Sequence, residues 1–194
     1  MTTQTDKHSK TELELPLSKE KEDWLKSTIR DIPDFPKPGI VFKDVTTLMK
    51  NGEAFHFTLH ALAQRVAKLN PDVIVGIEAR GFMLAPAIAD ILGKGFVPIR
   101  KPGKLPYKVE RVDYALEYGT DTIEIHVDAI DKGQRVVLID DLLATGGTAQ
   151  GAAQLIEKVG GELVGIGFVI ELGFLDGRSK LSKGADVFSL INYA

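Results

Sequence analysis

The chain has 194 residues, 44% hydrophobic and 26% charged, with a formal net charge of −3 and no cysteine. That is ordinary globular composition, long enough for one domain with a sizeable core and short for two. It argues against a protein whose main task is gripping nucleic acid, which carries a basic excess or stripe, and it leaves no disulfide framework, thiolate nucleophile or thiolate metal site.

Residues 1–17 are polar and charged, lack the apolar run of a signal peptide, and read as a flexible N-terminal tail ahead of one domain over 18–194. Trp24, Leu25, Thr28, Ile29 and Ile32 fall on one helical face, and the proline-rich stretch 34–39 ends that helix. Phe55, Leu59, Leu62, Val66 and Leu69 mark a second helix, closed by Asn70-Pro71. The run VIVGI at 73–77 predicts a buried strand, 81–92 a helix and 96–99 another strand. Residues 101–119 are polar, hold two prolines and show no clear period, which suits a mobile lid loop. Ile123, Ile125 and Val127 alternate with Glu124 and His126, the pattern of a half-exposed strand. A strand at 136–139, a helix at 147–159 and strands at 163–170 and 187–190 complete the chain. Strands alternating with helices predict an α/β fold, a mainly parallel sheet flanked by helices. There is no internal repeat, and apolar runs such as 82–89 are too short to span a bilayer, so a soluble cytoplasmic protein that binds no membrane is expected.

The most informative stretch is VVLIDDLLATGGTA at 136–149. Asp140 and Asp141 stand where a buried strand emerges, at an end expected to be exposed, and Ala144, Thr145, Gly146, Gly147 and Thr148 follow as a turn of small residues. One aspartate there would be a solvated turn or a helix cap. Two acids ahead of so small a loop ask for more. Small residues let backbone N–H groups approach an anion closely. The next helix points its N-terminus at the same spot, which favours phosphate, and the two threonines add hydroxyl donors. The loop therefore suits a phosphate, and the acids suit hydroxyls, a cation or both. A nucleotide-hydrolysing P-loop protein competes, because an apolar run into two acids also looks like a Walker-B strand. That class needs GxxxxGK[ST], which is absent, as is the dinucleotide fingerprint GxGxxG. A monophosphate attached to a sugar fits better.

The 136–149 stretch closely resembles the phosphoribosyl pyrophosphate motif of type I phosphoribosyltransferases. PDFPKPGIVFKD at 33–44, IEARGFMLAP at 77–86, RKPGKLP at 100–106 and YALEYGTDTIEIH at 114–126 are similar to the adenine-using branch of that family, and the resemblance covers nearly all of 20–192. It implies a phosphoribosyltransferase domain over 18–194 that makes AMP and pyrophosphate from adenine and 5-phosphoribosyl 1-pyrophosphate. It further implies Mg2+ bound mainly through substrate oxygens rather than by a protein metal site, and a homodimer.

Several other residues gain a meaning from the resemblance that they lack alone. Glu78, Ala79 and Arg80 turn from a strand into a helix, where Arg80 could reach an anion or be an ordinary surface arginine; the resemblance implies a pyrophosphate loop with a cis peptide at Glu78–Ala79. Arg100, Lys101 and Lys104 are a solvated charge run or, by resemblance, pyrophosphate contacts made partly across the dimer interface. Glu117 matches the family's proposed general acid/base at adenine N7, and is otherwise a solvent-facing glutamate. Val41 and Phe42 match a segment that hydrogen-bonds adenine through its backbone and stacks an aromatic ring on it; Phe42 alone would read equally well as core. His56 and His60 have metal-ligand spacing on a helix but no third ligand, and read as a helix surface or core pair. Two alternatives stay open at this level. One is a phosphoribosyltransferase for hypoxanthine, guanine, xanthine or orotate. The other is a regulator that senses phosphoribosyl pyrophosphate and binds nucleic acid, for which the chain shows neither a basic face nor an added domain.

Overall fold

Runs such as 73–77 and 136–139 have no polar face, so they are stable as strands only when both sides of their sheet are covered. The computed structural model, which describes residues 17–115, 119–181 and 183–194, gives them that cover. In chain order its first elements are α1 (Lys19–Ser27), β1 (Arg30–Pro33), β2 (Val41–Asp44), α2 (Thr46–Lys50) and α3 (Gly52–Lys68). Then come β3 (Val73–Ile77), α4 (Gly81–Leu92), β4 (Gly95–Ile99), β5 (Val109–Ala115) and β6 (Thr120–His126). The last are β7 (Arg135–Leu143), α5 (Gly147–Lys158), β8 (Glu162–Leu172) and β9 (Asp186–Tyr193), with two 3-10 turns between β8 and β9 at Gly173–Leu175 and Gly177–Lys180.

Five strands form one sheet in the order β4-β3-β7-β8-β9, and every neighbouring pair is parallel. Successive side chains of β7 leave the sheet on opposite sides. Val137 and Ile139 pack with Ile74, Leu62, Leu84 and Ile88 under α3 and α4. Val136 and Leu138 pack with Val75, Leu155, Ile123 and Ile125 under α5 and the β5–β6 hairpin. The fold is the expected α/β arrangement. From β3 the chain steps outward to β4, and later returns on the other side of β3 as β7. The crevice between the carboxyl ends of β3 and β7 is thus the point where strand order reverses, where ligands of such sheets bind.

Three readings change. The first helix stops at Ser27 instead of running to Ile32. Ser27 Oγ and Thr28 Oγ1 donate to the carbonyls of Trp24 and Leu25 at 2.6 and 2.7 Å, which draws the chain out of the helix. Ile32 then sits on β1, opposite Phe42 of β2. Second, 109–115 is a strand, paired antiparallel with β6 from Val109↔His126 to Ala115↔Thr120, so only part of the expected lid is irregular. Third, Glu124 is buried instead of facing solvent. Its carboxylate lies 2.6 Å from Arg111 Nε as an ion pair, and accepts from the Gly103 N–H at 3.0 Å. The helix at 147–158 and the strands of the main sheet fall where the periodicity puts them. Leu17, assigned to the tail, is buried against the core, and the rest of that tail lies outside the described residues.

Gly76 fixes how close α4 comes to β3, because a Cβ there would lie 2.6 Å from Ala85 Cβ and 3.1 Å from the Gly81 carbonyl oxygen. Gly76→Ala should push α4 from the sheet and lower the unfolding free energy by about 1–3 kcal/mol in urea titration, the usual cost of overpacking. An unchanged midpoint would mean that the helix has room to shift.

Candidate active site

A cleft of about 320 Å³ opens at the β3/β7 crevice, lined by 77–80 on one side and 140–149 on the other, with Lys101, Tyr114 and Asp121 closing a third. β7 continues through the acid pair to Leu143, so both aspartates are held by the sheet rather than by a turn. The Asp141 N–H donates to Asp140 Oδ1 at 2.9 Å. Burial, then the neighbouring Asp141 charge, pushes the Asp140 carboxyl well above the usual carboxylate range. Asp141 is not at an exposed end. It is buried and forms an ion pair with Arg80 Nε. Burial disfavours the Arg80 charge, but the Asp141 carboxylate, with help from Asp140 and Asp44, outweighs it and raises the arginine's pKa.

The loop after β7 presents backbone to the cleft. Gly146 takes a left-handed φ of 81° ahead of α5, and no side chain caps the helix, so its first N–H groups stay available to a ligand. Thr145 and Thr148 are half-buried beside them. The loop leans on the second 3-10 turn so tightly that a Cβ on Gly146 would collide with the Gly177 carbonyl, and one on Gly177 with the Ala144 carbonyl.

The opposite wall carries the cations. The Glu78–Ala79 peptide is cis. Glu78 accepts from Arg100 Nε at 3.2 Å, Arg100 Nη2 at 3.4 Å and the Lys101 N–H at 3.2 Å, and pairs with Lys104 Nζ. Burial alone would raise its pKa; the bonds from Lys104, Arg100 and the Lys101 backbone outweigh that and bring it down to about 2. Lys101 Nζ donates to Tyr114 Oη at 3.1 Å and forms an ion pair with Asp121. Phe42 on β2 packs edge-on against Phe35 at 5.3 Å, and the Arg80 guanidinium lies 5.8 Å from its ring; Val41 beside it is exposed. Phe42 is thereby linked to the cleft through Arg80.

The structure thus brings Asp140, Asp141, 144–148, 78–80 and Lys101 to one cleft, with Arg100 and Lys104 joined to it through Glu78. Glu117 lies outside the described residues. Tyr114 and Asp121 line the cleft without having been singled out from sequence. The signal for Tyr114 was the alternation of Val112 and Tyr114 against Arg111 and Asp113, masked by the charged residues of that strand. The His56 and His60 rings lie 4.2 Å apart, tilted by 46°, and no group of three or more His, Cys, Asp or Glu among the described residues could hold a metal.

An uncapped helix N-terminus suits one phosphate, the acids beside it suit sugar hydroxyls, and the cations across the cleft suit a second, larger anion. A substrate with those three parts in that order is a phosphoribosyl pyrophosphate, and the fold and cleft are those of a phosphoribosyltransferase. The phosphoribosyl transferase domain family matches residues 46–191. An adenine phosphoribosyltransferase of Solibacter usitatus is 57% identical over 169 residues, 87% of this chain and 97% of that one. The crystal structure of an adenine phosphoribosyltransferase from Thermoanaerobacter pseudethanolicus superimposes with a TM-score of 0.85 at 51% identity, covering 88% of this chain and 99% of that one. The Saccharomyces cerevisiae adenine phosphoribosyltransferase, solved with adenine and D-2,5-dideoxy-2,5-imino-altritol 1,6-bisphosphate, gives 0.83 at 40% identity over 88% of this chain and 98% of that one. The chain belongs to the adenine phosphoribosyltransferase family.

The two aspartates should separate by pH. A carboxyl whose folded pKa is raised leaves stability untouched below its unfolded pKa of about 4, and costs stability as pH rises from there through the folded value. Asp140→Asn should therefore raise the thermal midpoint at pH 7, with the gain fading as pH approaches 4. Asp141→Asn should lower the midpoint at pH 7, because it leaves Arg80 without its partner. Equal shifts of the same sign for both variants would contradict the asymmetry.

Proposed function

We propose that the chain transfers the phosphoribosyl group of 5-phosphoribosyl 1-pyrophosphate to N9 of adenine, giving AMP and pyrophosphate, the purine-salvage reaction. The observation that carries this reading is the uncapped start of α5 facing the Arg80 and Lys101 cations across the Asp140–Asp141 pair. The family membership and the adenine bound by the yeast relative support the choice of base.

Displacing pyrophosphate builds positive charge on the ribose ring, and the reaction is accelerated by groups already set for that charge. The 5′-phosphate sits on the N–H groups of 144–148. Asp140 and Asp141 orient the ribose through its hydroxyls and place negative charge near the developing cation. Arg80, Arg100, Lys101 and Lys104 hold the leaving pyrophosphate. Adenine is read by the Val41 backbone and stacked on Phe42, and Glu117 manages the proton at N7 when the β5–β6 hairpin closes over the cleft and excludes water. The acid pair, with one member committed to Arg80, suits a magnesium ion that keeps substrate and water oxygens better than an all-protein cage. That ion would be held mainly by substrate oxygens beside Asp140 and Asp141, and when bound it would neutralise charge on the pyrophosphate. A homodimer and a cytoplasmic location complete the reading.

The test is a panel of free bases with phosphoribosyl pyrophosphate and magnesium, read as nucleotide formed. Adenine should be consumed far faster than hypoxanthine, guanine, xanthine or orotate, and faster turnover of any of these would move the site to another base. Glu117→Leu should lower kcat by roughly 10²–10⁴-fold, the scale of general acid–base catalysis, with binding of phosphoribosyl pyrophosphate unchanged. An unchanged kcat would remove Glu117 from the chemistry.

A further inference from the structure

Each cation placed for pyrophosphate already has an acid partner: Arg80 has Asp141, Lys101 has Asp121, and Arg100 and Lys104 share Glu78. Glu78 differs from the other two acids in pairing with two of these cations at once. Its single carboxylate gathers donors from three residues and uses both oxygens, Oε1 toward Arg100 Nη2 and Lys104 Nζ, Oε2 toward Arg100 Nε and the Lys101 N–H. That is how a phosphate group is held by such donors. A carboxylate in this place is a poor ligand for pyrophosphate itself, because the charges repel. Only 15% of the side chain is exposed, so Glu78 cannot share the cations with a bound polyanion without moving.

We infer that Glu78 is a resident counter-anion of the pyrophosphate cluster. It occupies the donors of Arg100, Lys101 and Lys104 in the free protein, is displaced when pyrophosphate or the pyrophosphate end of the substrate arrives, and returns to help expel the product. The inference rests on the reading of that cluster as the pyrophosphate site. Binding there is an exchange of anions. Each bond that pyrophosphate takes from Arg100, Lys104 or the Lys101 N–H replaces one already made to Glu78, so the contribution of these donors to affinity is the difference between the two. The same exchange keeps Arg100 and Lys104 gathered rather than splayed by their mutual repulsion before substrate enters.

The test is binding of inorganic pyrophosphate by titration calorimetry, without adenine, on the full chain and on Glu78→Gln. Removing the competing charge should tighten pyrophosphate binding about tenfold, within the usual range of coupling between two ligands. The variant should also melt lower than the wild type without ligand, yet gain more in thermal midpoint when pyrophosphate is added. Equal or weaker binding by the variant would overturn the inference and make Glu78 a fastener of the 77–80 turn. If the glutamine variant does not fold, Glu78→Asp, which keeps the charge but withdraws it by one methylene, is measured instead; it should bind tighter than the wild type, and equal or weaker binding again overturns the inference. The base panel fails independently: a preference for an oxopurine would leave the pyrophosphate result standing, and correct adenine turnover without tighter binding would sink only the role of Glu78.

Discussion

The Arg80–Asp141 ion pair joins the carboxyl ends of β3 and β7, and the cleft depends on it. It sets the distance between the cation wall and the phosphate loop. It gives the acid pair an internal charge balance, because Asp141 has a cationic partner while burial and the neighbouring Asp141 charge push the Asp140 carboxyl up. It also fixes the guanidinium against Phe42, which ties the small β1–β2 hairpin to the main sheet at the place where a base would lie. The loop after β7, the acid pair and Phe42 therefore share one anchor, and that anchor sits where strand order reverses.

A second theme is that the cleft is charged but nearly self-neutral. Ion pairs at a protein surface are worth little to stability, and those here are partly exposed. Their value lies in placement. Each pair crosses from one element to another: Arg80 to β7, Lys101 to β6, and Arg100 and Lys104 back to the turn after β3. The β5–β6 hairpin is thus wired to the cleft by Lys101 and Tyr114, and Tyr114 also lies close over Gly151 of α5.

What could be read from sequence follows from where the signal is local. Runs such as 73–77 and 136–139 have to be covered on both faces, and that alone dictates the central sheet and the helices on it. The motif at 136–149 carries its signal in adjacent residues, so the stretch that lines the cleft was legible down to individual positions. The hairpin was not. β5 is written in charged residues, and those charges are stable there because of partners distant in the chain: Arg111 with Glu124, and Glu110 with Lys158. Its alternation makes sense only once β6 and α5 are in place. The early end of α1 escaped for a similar reason, since the apolar period continues through Ile29 and Ile32 while the hydroxyls of Ser27 and Thr28 turn the backbone away. Asp141 was misjudged as exposed because no pattern in its own segment announces Arg80.

The contact between Gly146 and Gly177 gives the loop after β7 a neighbour that does not line the cleft. The turn holding Gly177 is fastened by Arg178, which donates to both Glu171 oxygens and to the Val187 carbonyl, while Ser189 donates to the same glutamate at 2.8 Å. The shape of the loop is therefore underwritten by a cluster on β8 and β9, at the far side of the sheet from the cations. For a protein engineer this is a separate tuning knob. Substitutions at 171, 178 or 189 would shift the loop after β7 while the motif and the acid pair stay as they are.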